Sequence, residues 1–144
     1  MLFGKRERAI RRILIVEDEP LVAFDNEHLL RESGYEVVAT VDSLAEAVRV
    51  IGEEVEEVDL ILSDIRLAGD GDGNDVARAA AAKGIPVLFV TANCPAEARA
   101  LAVGCLAKPY SGRMLKNALG AVDRRLRGED VKRLPAGLSL YDDA

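Results

Sequence analysis

The chain has 144 residues, 49% hydrophobic and 31% charged, with a formal net charge of −6. That length suits one well-formed core and is short for two ordinary domains, and the composition is that of a globular chain, not a disordered one. Residues 1–12 hold five basic side chains and one acidic, and residues 123–133 five basic and three acidic, so the segment between them is strongly acidic and ill suited to a phosphate backbone.

The basic start, Met1 to Arg12, passes through Ile13–Val16 straight into Glu17, Asp18 and Glu19. It therefore lacks the apolar stretch of a secretory signal, and no later segment approaches the roughly 20 apolar residues of a membrane span. A cytoplasmic protein with neither nucleic acid nor membrane as partner is expected, with residues 1–10 as a solvated basic arm. Ile13 to Val16 is the first of five apolar runs. A helix over about 20–33 follows, with Pro20 suited to its first turn and Gly34 to its stop. Val37 to Val41 is the second run, and Asp42 or Ser43 can cap the next helix, where Leu44, Ala47, Val48, Ile51 and Val55 share a face. His28, in the first helix, reads as an ordinary solvent-facing side chain.

Leu60 to Leu62 ends at Ser63 and Asp64, and a loop from Ala68 to Asn74 leads into an alanine-rich helix ending near Gly84. Asp70-Gly71-Asp72-Gly73-Asn74 resembles the start of a calcium loop, but the twelfth position is Ala81 where a glutamate is needed. Pro86 to Val90 runs into Thr91-Ala92-Asn93, a short helix extends from Pro95 towards Gly104, and Cys105 to Ala107 closes on Lys108-Pro109. Ser111 opens a last helix with Leu115, Ala118, Leu119, Val122 and Leu126 on one face; beyond Arg127 a tail without periodicity is expected. Cys94 and Cys105 have neither the number nor the spacing of a disulfide framework or zinc site and are expected to be reduced. Apolar strands that each precede a helix imply a parallel sheet covered on both faces.

Ligands of such sheets bind beyond the carboxyl ends of the strands. Here those ends carry Glu17, Asp18 and Glu19 on the first strand, Asp64 on the third, Thr91 on the fourth and Lys108 on the fifth. Crowded carboxylates repel unless a hard cation sits among them, and Mg²⁺ favours a few carboxylates, waters and a phosphate oxygen. A carboxylate is also a competent nucleophile towards a phosphoryl donor, and Lys108, the Thr91 hydroxyl and Mg²⁺ can stabilise the transferring charge.

The stretches ILIVEDEP at 13–20, LILSDIRL at 60–67, LFVTA at 88–92 and GCLAKPY at 104–110 resemble the bacterial response-regulator receiver domains, the family of the chemotaxis regulator, over about residues 11–127. The resemblance implies a flavodoxin-like (βα)5 three-layer sandwich with parallel sheet order 2-1-3-4-5. It implies Asp64 as phosphoacceptor, Asp18 as a direct metal ligand, Glu17 reaching the metal through water, and the backbone carbonyl of Arg66 as a further ligand. It makes Thr91 the switch hydroxyl and Lys108 the lysine that pairs with the phosphoryl group, and it implies a cis Lys108-Pro109 bond. It further implies Mg²⁺ as cofactor and a histidine kinase or histidine phosphotransfer protein as donor. The output is a contact with a downstream protein through the face of the fourth helix, fifth strand and fifth helix, or removal of phosphoryl groups as a phosphate sink; a homodimer is a further partner state that it allows. On this reading 11–127 is the receiver and 128–144 a tail with no output domain.

Two features depart from the family pattern. Cys105 stands at the usual switch-aromatic position, so Thr91 and its loop, or Tyr110, must act without that ring. The loop after Asp64 reaches its Asp72-Gly73 pair one residue late, and Arg66 with Asn93 is expected to flank the phosphoryl group. The competing readings are weaker. A pseudo-receiver scaffold has no need of Asp18, Asp64, Thr91 and Lys108 together. An aspartyl-phosphate phosphatase would have an aspartate where Arg66 stands, so the chain is not expected to be an enzyme beyond its own phosphorylation and dephosphorylation. A flavodoxin-like electron carrier would have a phosphate loop after the first strand.

Overall fold

The computed structural model describes residues 8–53 and 57–141. Strand β1 (Arg12–Val16) is buried along nearly its whole length, and Pro20 then opens helix α1 (Pro20–Glu32) at a position that needs no backbone N–H. Gly34, at φ +92°, makes the left-handed turn out of α1 into β2 (Glu36–Val41). Ser43, not Asp42, caps α2 (Leu44–Gly52), its side chain accepting from the Glu46 amide; Val55, expected on that helix face, lies outside the described residues. β3 (Leu60–Ser63) is fully buried, and α3 (Gly73–Ala81) starts from a reciprocal capping box between Asp72 and Asp75. β4 (Val87–Thr91), β5 (Gly104–Ala107) and α4 (Gly112–Leu126), capped by Ser111, complete the alternation.

The sheet order is β2-β1-β3-β4-β5-β6, with β1 to β5 parallel. Alternate side chains feed two cores. Ile13, Ile15, Leu62, Leu88 and Leu106 pack beneath Leu30, Leu115, Leu119 and Val122 on one face. Leu14, Val16, Ile61 and Phe89 pack with Val50, Ile51, Val76 and Ala80 on the other. This is the expected flavodoxin-like sandwich, with one strand added.

Three expectations are corrected. The segment from Pro95 forms only a 3-10 helix (Ala96–Ala100); Ala98 is its one buried residue, too little apolar face to sustain a longer α-helix. The segment after Arg127 is not wholly aperiodic: Leu138–Leu140 forms β6, antiparallel to β5. Three residues are too few to show a period of two, and what draws the strand in is tertiary. Leu138 is buried, and Gly104 offers no Cβ where the Ser139 carbonyl oxygen would lie 2.4 Å away. Finally, Cys94 and Cys105 are not reduced but joined in a disulfide, with Cα atoms 6.2 Å apart. Spacing along the chain cannot reveal this pair, because the return from β4 through the 3-10 helix to β5 is what brings the two together.

Candidate functional site

The site forms where β1, β3, β4 and β5 end. The parallel register aligns Val16 with Ser63 and Thr91 with Ala107, so the residues that follow, Glu17, Asp64 and Lys108, emerge on the same rim. The Lys108 amide donates to the Thr91 carbonyl at 2.8 Å, and the Lys108-Pro109 bond is cis. Glu17, Asp18 and Asp64 each place a carboxylate oxygen within 4.8 Å of the others. Glu17 and Asp64 are buried and Asp18 half-buried.

Both oxygens of Asp64 are engaged. Oδ1 accepts from the amides of Ile65 at 2.6 Å and Arg66 at 3.3 Å, and Oδ2 accepts from Lys108 Nζ at 2.8 Å. The same ammonium reaches Glu17 Oε1 and Glu19 Oε1, each at 3.3 Å. Burial pushes the Glu17 carboxyl above its ordinary value, and the Asp64 charge adds to this against the opposing Glu19 amide and Lys108. Burial alone would lower Lys108, but its hydrogen bond to Asp64 and the charges of Glu17 and Asp64 outweigh it, so the lysine is held well above its ordinary value. It is a fixed cation.

Thr91 is half-buried, and its hydroxyl has no hydrogen-bond partner among the described residues. Asp18, Asp64, Arg66, Asn74, Thr91, Asn93 and Lys108 line one cleft of about 720 Å³. Of the expected site residues, Asp18, Asp64, Arg66, Thr91 and Lys108 thus line this cleft, and Glu17 joins them through the carboxylate cluster and its bond from Lys108. Cys105 is the exception: fully buried in the opposite core and held by its disulfide, it is no free switch side chain. Tyr110 lies beside the site, where its hydroxyl accepts from Asn26 Nδ2 at 2.9 Å. His28 is exposed and pairs with Glu32, away from the cleft.

Gly73 and Asn74, which the sequence places only in an incomplete calcium-loop pattern, also belong to the site. A Cβ on Gly73 would stand 2.3 Å from the Asp64 carbonyl oxygen and 2.7 Å from Ile65 Cα, and the Gly73 amide donates to the Ile65 carbonyl at 2.6 Å. Gly73 therefore lets the start of α3 support the Asp64 turn from behind. Asn74 Oδ1 is buried and has no donor among the described residues, an unused acceptor among the oxygens lining the cleft. Three carboxylates and further oxygens with no soft ligand suit a hard cation such as Mg²⁺.

Residues 13–120 match the model of the response regulator receiver domain family. The transcriptional regulatory protein PdtaR of Mycobacterium tuberculosis (strain ATCC 25618 / H37Rv) is 38% identical over 107 residues, covering 70% of this chain and 51% of the relative. The chain thus spans about half the length of that protein. The receiver domain of the sensor histidine kinase PA1611 from Pseudomonas aeruginosa PAO1, solved with a magnesium ion in its active site cleft, superposes with a TM-score of 0.66 at 31% identity. That match covers 83% of this chain and 99% of that one. The response regulator PhyR of Brucella abortus superposes with a TM-score of 0.68 at 30% identity, over 85% of this chain and 51% of that one.

Proposed function

The chain belongs to the response regulator receiver domain family, and from that premise we propose that Asp64 accepts a phosphoryl group from a phosphohistidine. The observation that carries this reading is the contact of Lys108 Nζ with Asp64 Oδ2 at 2.8 Å inside a cluster of three carboxylates. An Asp64 oxygen attacks phosphorus, the phosphorus–nitrogen bond of the donor breaks, and the donor imidazole takes up a proton. Lys108 holds the acceptor in place and then pairs with the phosphoryl oxygens, and the unpartnered Thr91 hydroxyl turns to donate to one of them.

The acidic cluster suits Mg²⁺. Asp18 and Asp64 would hold it directly, Glu17 through water, and the Arg66 backbone carbonyl would add an oxygen. When bound, the ion neutralises charge on the transferring group. Arg66 and Asn93 are both exposed at the mouth of the cleft, placed to decide where a hydrolytic water stands.

The donor is a histidine kinase or a histidine phosphotransfer protein, and α1 offers it a surface. Leu21 and Phe24 are 79% and 69% exposed, and a cavity of about 710 Å³ lies between α1 and the segment from Lys108 to Gly112. Output passes through a protein contact on the face of the 3-10 helix, β5 and α4, where β6 now covers the β5 edge, or the domain serves as a phosphate sink. The chain is a cytoplasmic regulator and not an enzyme acting on other substrates; among the described residues no helix is long and apolar enough to cross a membrane.

The test is intact-mass measurement after incubation with acetyl phosphate. Wild type with Mg²⁺ gains one phosphoryl group; wild type with chelator and Asp64→Ala with Mg²⁺ do not. Labelling of the Asp64→Ala protein equal to wild type would overturn the assignment.

A further inference from the structure

We propose that Cys94 and Cys105 form a reversible redox-modification site that governs the phosphoryl response of Asp64, an inference that rests on the phosphoacceptor reading above. Cys94 lies three residues beyond Thr91, in the loop whose Asn93 and Pro95 line the cleft. Cys105 lies in β5, three residues before Lys108 and paired in register with Phe89. The disulfide therefore ties the loop that follows the switch hydroxyl to the strand that carries the pairing lysine. The loop end is bound to a fully buried residue that belongs to the second core and pairs in register with Phe89.

Two observations favour a reversible bond over a structural staple. Both faces of the sheet already carry continuous cores, and the bond spans only 11 residues of chain, so the fold does not depend on this closure as small core-poor domains do. The bond also joins an exposed residue, Cys94, to a fully buried one, Cys105. A dithiol thiolate attacks the Cys94 sulfur, the sulfur–sulfur bond breaks, and Cys105 leaves as a thiolate that takes up a proton. The second thiol of the reductant then releases Cys94, so that two electrons and two protons pass to the pair and the reductant becomes a disulfide. Oxidation by glutathione disulfide runs through a mixed disulfide at Cys94, which Cys105 resolves with release of glutathione.

On the phosphoacceptor reading Thr91 turns towards the phosphoryl group, and the exposed segment 92–94, continuous with it along the cleft, is placed to move with it. The closed disulfide holds Cys94 within 6.2 Å (Cα to Cα) of Cys105 and opposes that movement; the open dithiol releases it. The reduced protein is therefore the more responsive form. Because coupling between two equilibria is reciprocal, phosphorylation also makes the disulfide easier to reduce.

The experiment prepares the full chain oxidised with glutathione disulfide and reduced with dithiothreitol, each state verified by counting alkylated thiols by mass. Both are incubated with acetyl phosphate and Mg²⁺, and the steady-state phosphorylated fraction is read by intact mass. The expected result is a several-fold higher fraction in the reduced protein. Cys94→Ser, a change at an exposed position, should match the reduced wild type under both treatments. Equal fractions in the two wild-type states, or failure of glutathione disulfide to close the bond, would overturn the proposal. Absence of labelling in every form, with the thiol count still changing, would instead overturn the phosphoacceptor reading and with it the coupling.

Discussion

Asp18 differs from its acidic neighbours in having no hydrogen bond or ion pair among the described residues, whereas Glu17 and Asp64 both contact Lys108. It contributes repulsion to the metal-free cluster, and a direct cation contact is its natural relief. Asp18→Asn is expected to raise metal-free stability by about 0.5–1 kcal/mol and to abolish the rise in melting temperature that Mg²⁺ gives the wild type. Thermal denaturation with and without Mg²⁺ measures both, and an undiminished Mg²⁺ response would remove Asp18 from the ligand set. Gly73→Ala should cost about 1–3 kcal/mol by overpacking and slow phosphorylation, because the new methyl meets the backbone of Asp64 and Ile65. Denaturant melts and labelling rates would show this. The charged site residues were legible because their chemistry is written in their side chains; Gly73 was not, because its role is to leave space for a backbone that only the folded loop brings near.

Among the elements, strands and α-helices were readable where apolar periodicity ran long enough, as in Ile13–Val16 or the face of Leu115, Leu119 and Val122. The short helix after Pro95 was readable but not its 3-10 form, which follows from its small apolar face, and β6 was not readable, since β5, a partner distant in sequence, fixes it. The contact between α1 and β2 illustrates a hydrogen bond with a pH signature. Glu27 accepts from Thr40 Oγ1 at 2.7 Å and pairs with Arg31 at 3.0 Å. The Thr40 hydrogen bond is the main cause of a Glu27 carboxyl held below its ordinary value of 4.5. A depressed folded value means the stabilisation is present above the unfolded value and is lost as pH falls through the folded one. Thr40→Val should therefore cost stability at pH 7, about 0.5 kcal/mol after allowing for solvent screening of a partly exposed carboxylate, and the cost should vanish in acid. A penalty independent of pH between 3 and 7 would contradict this.

Across the whole molecule, the approach to β1 is fastened to α4 and the segment after α4 to the sheet edge. The Ile10 amide donates to Asp123 Oδ2 at 2.9 Å and Arg127 Nε to Asp123 Oδ1 at 2.7 Å, joining the first strand's approach to α4. At the far edge, β6 is held by pairing with β5 and by the close approach over Gly104. Gly104→Ala should displace β6 while leaving the parallel strands paired, seen as faster amide hydrogen exchange at residues 138–140 with β1 and β3 still protected; unchanged exchange in β6 would contradict the packing account.

We propose that the rim of the sheet presents Asp64, beside Lys108, as the phosphoryl acceptor. Borohydride reduces an aspartyl-phosphate to homoserine, so treating the protein with acetyl phosphate, Mg²⁺ and then borohydride, followed by peptide sequencing in a mass spectrometer, reads the acceptor directly. The account predicts homoserine at position 64 and at no other aspartate. Unmodified Asp64, or homoserine at Asp18 in its place, would contradict it.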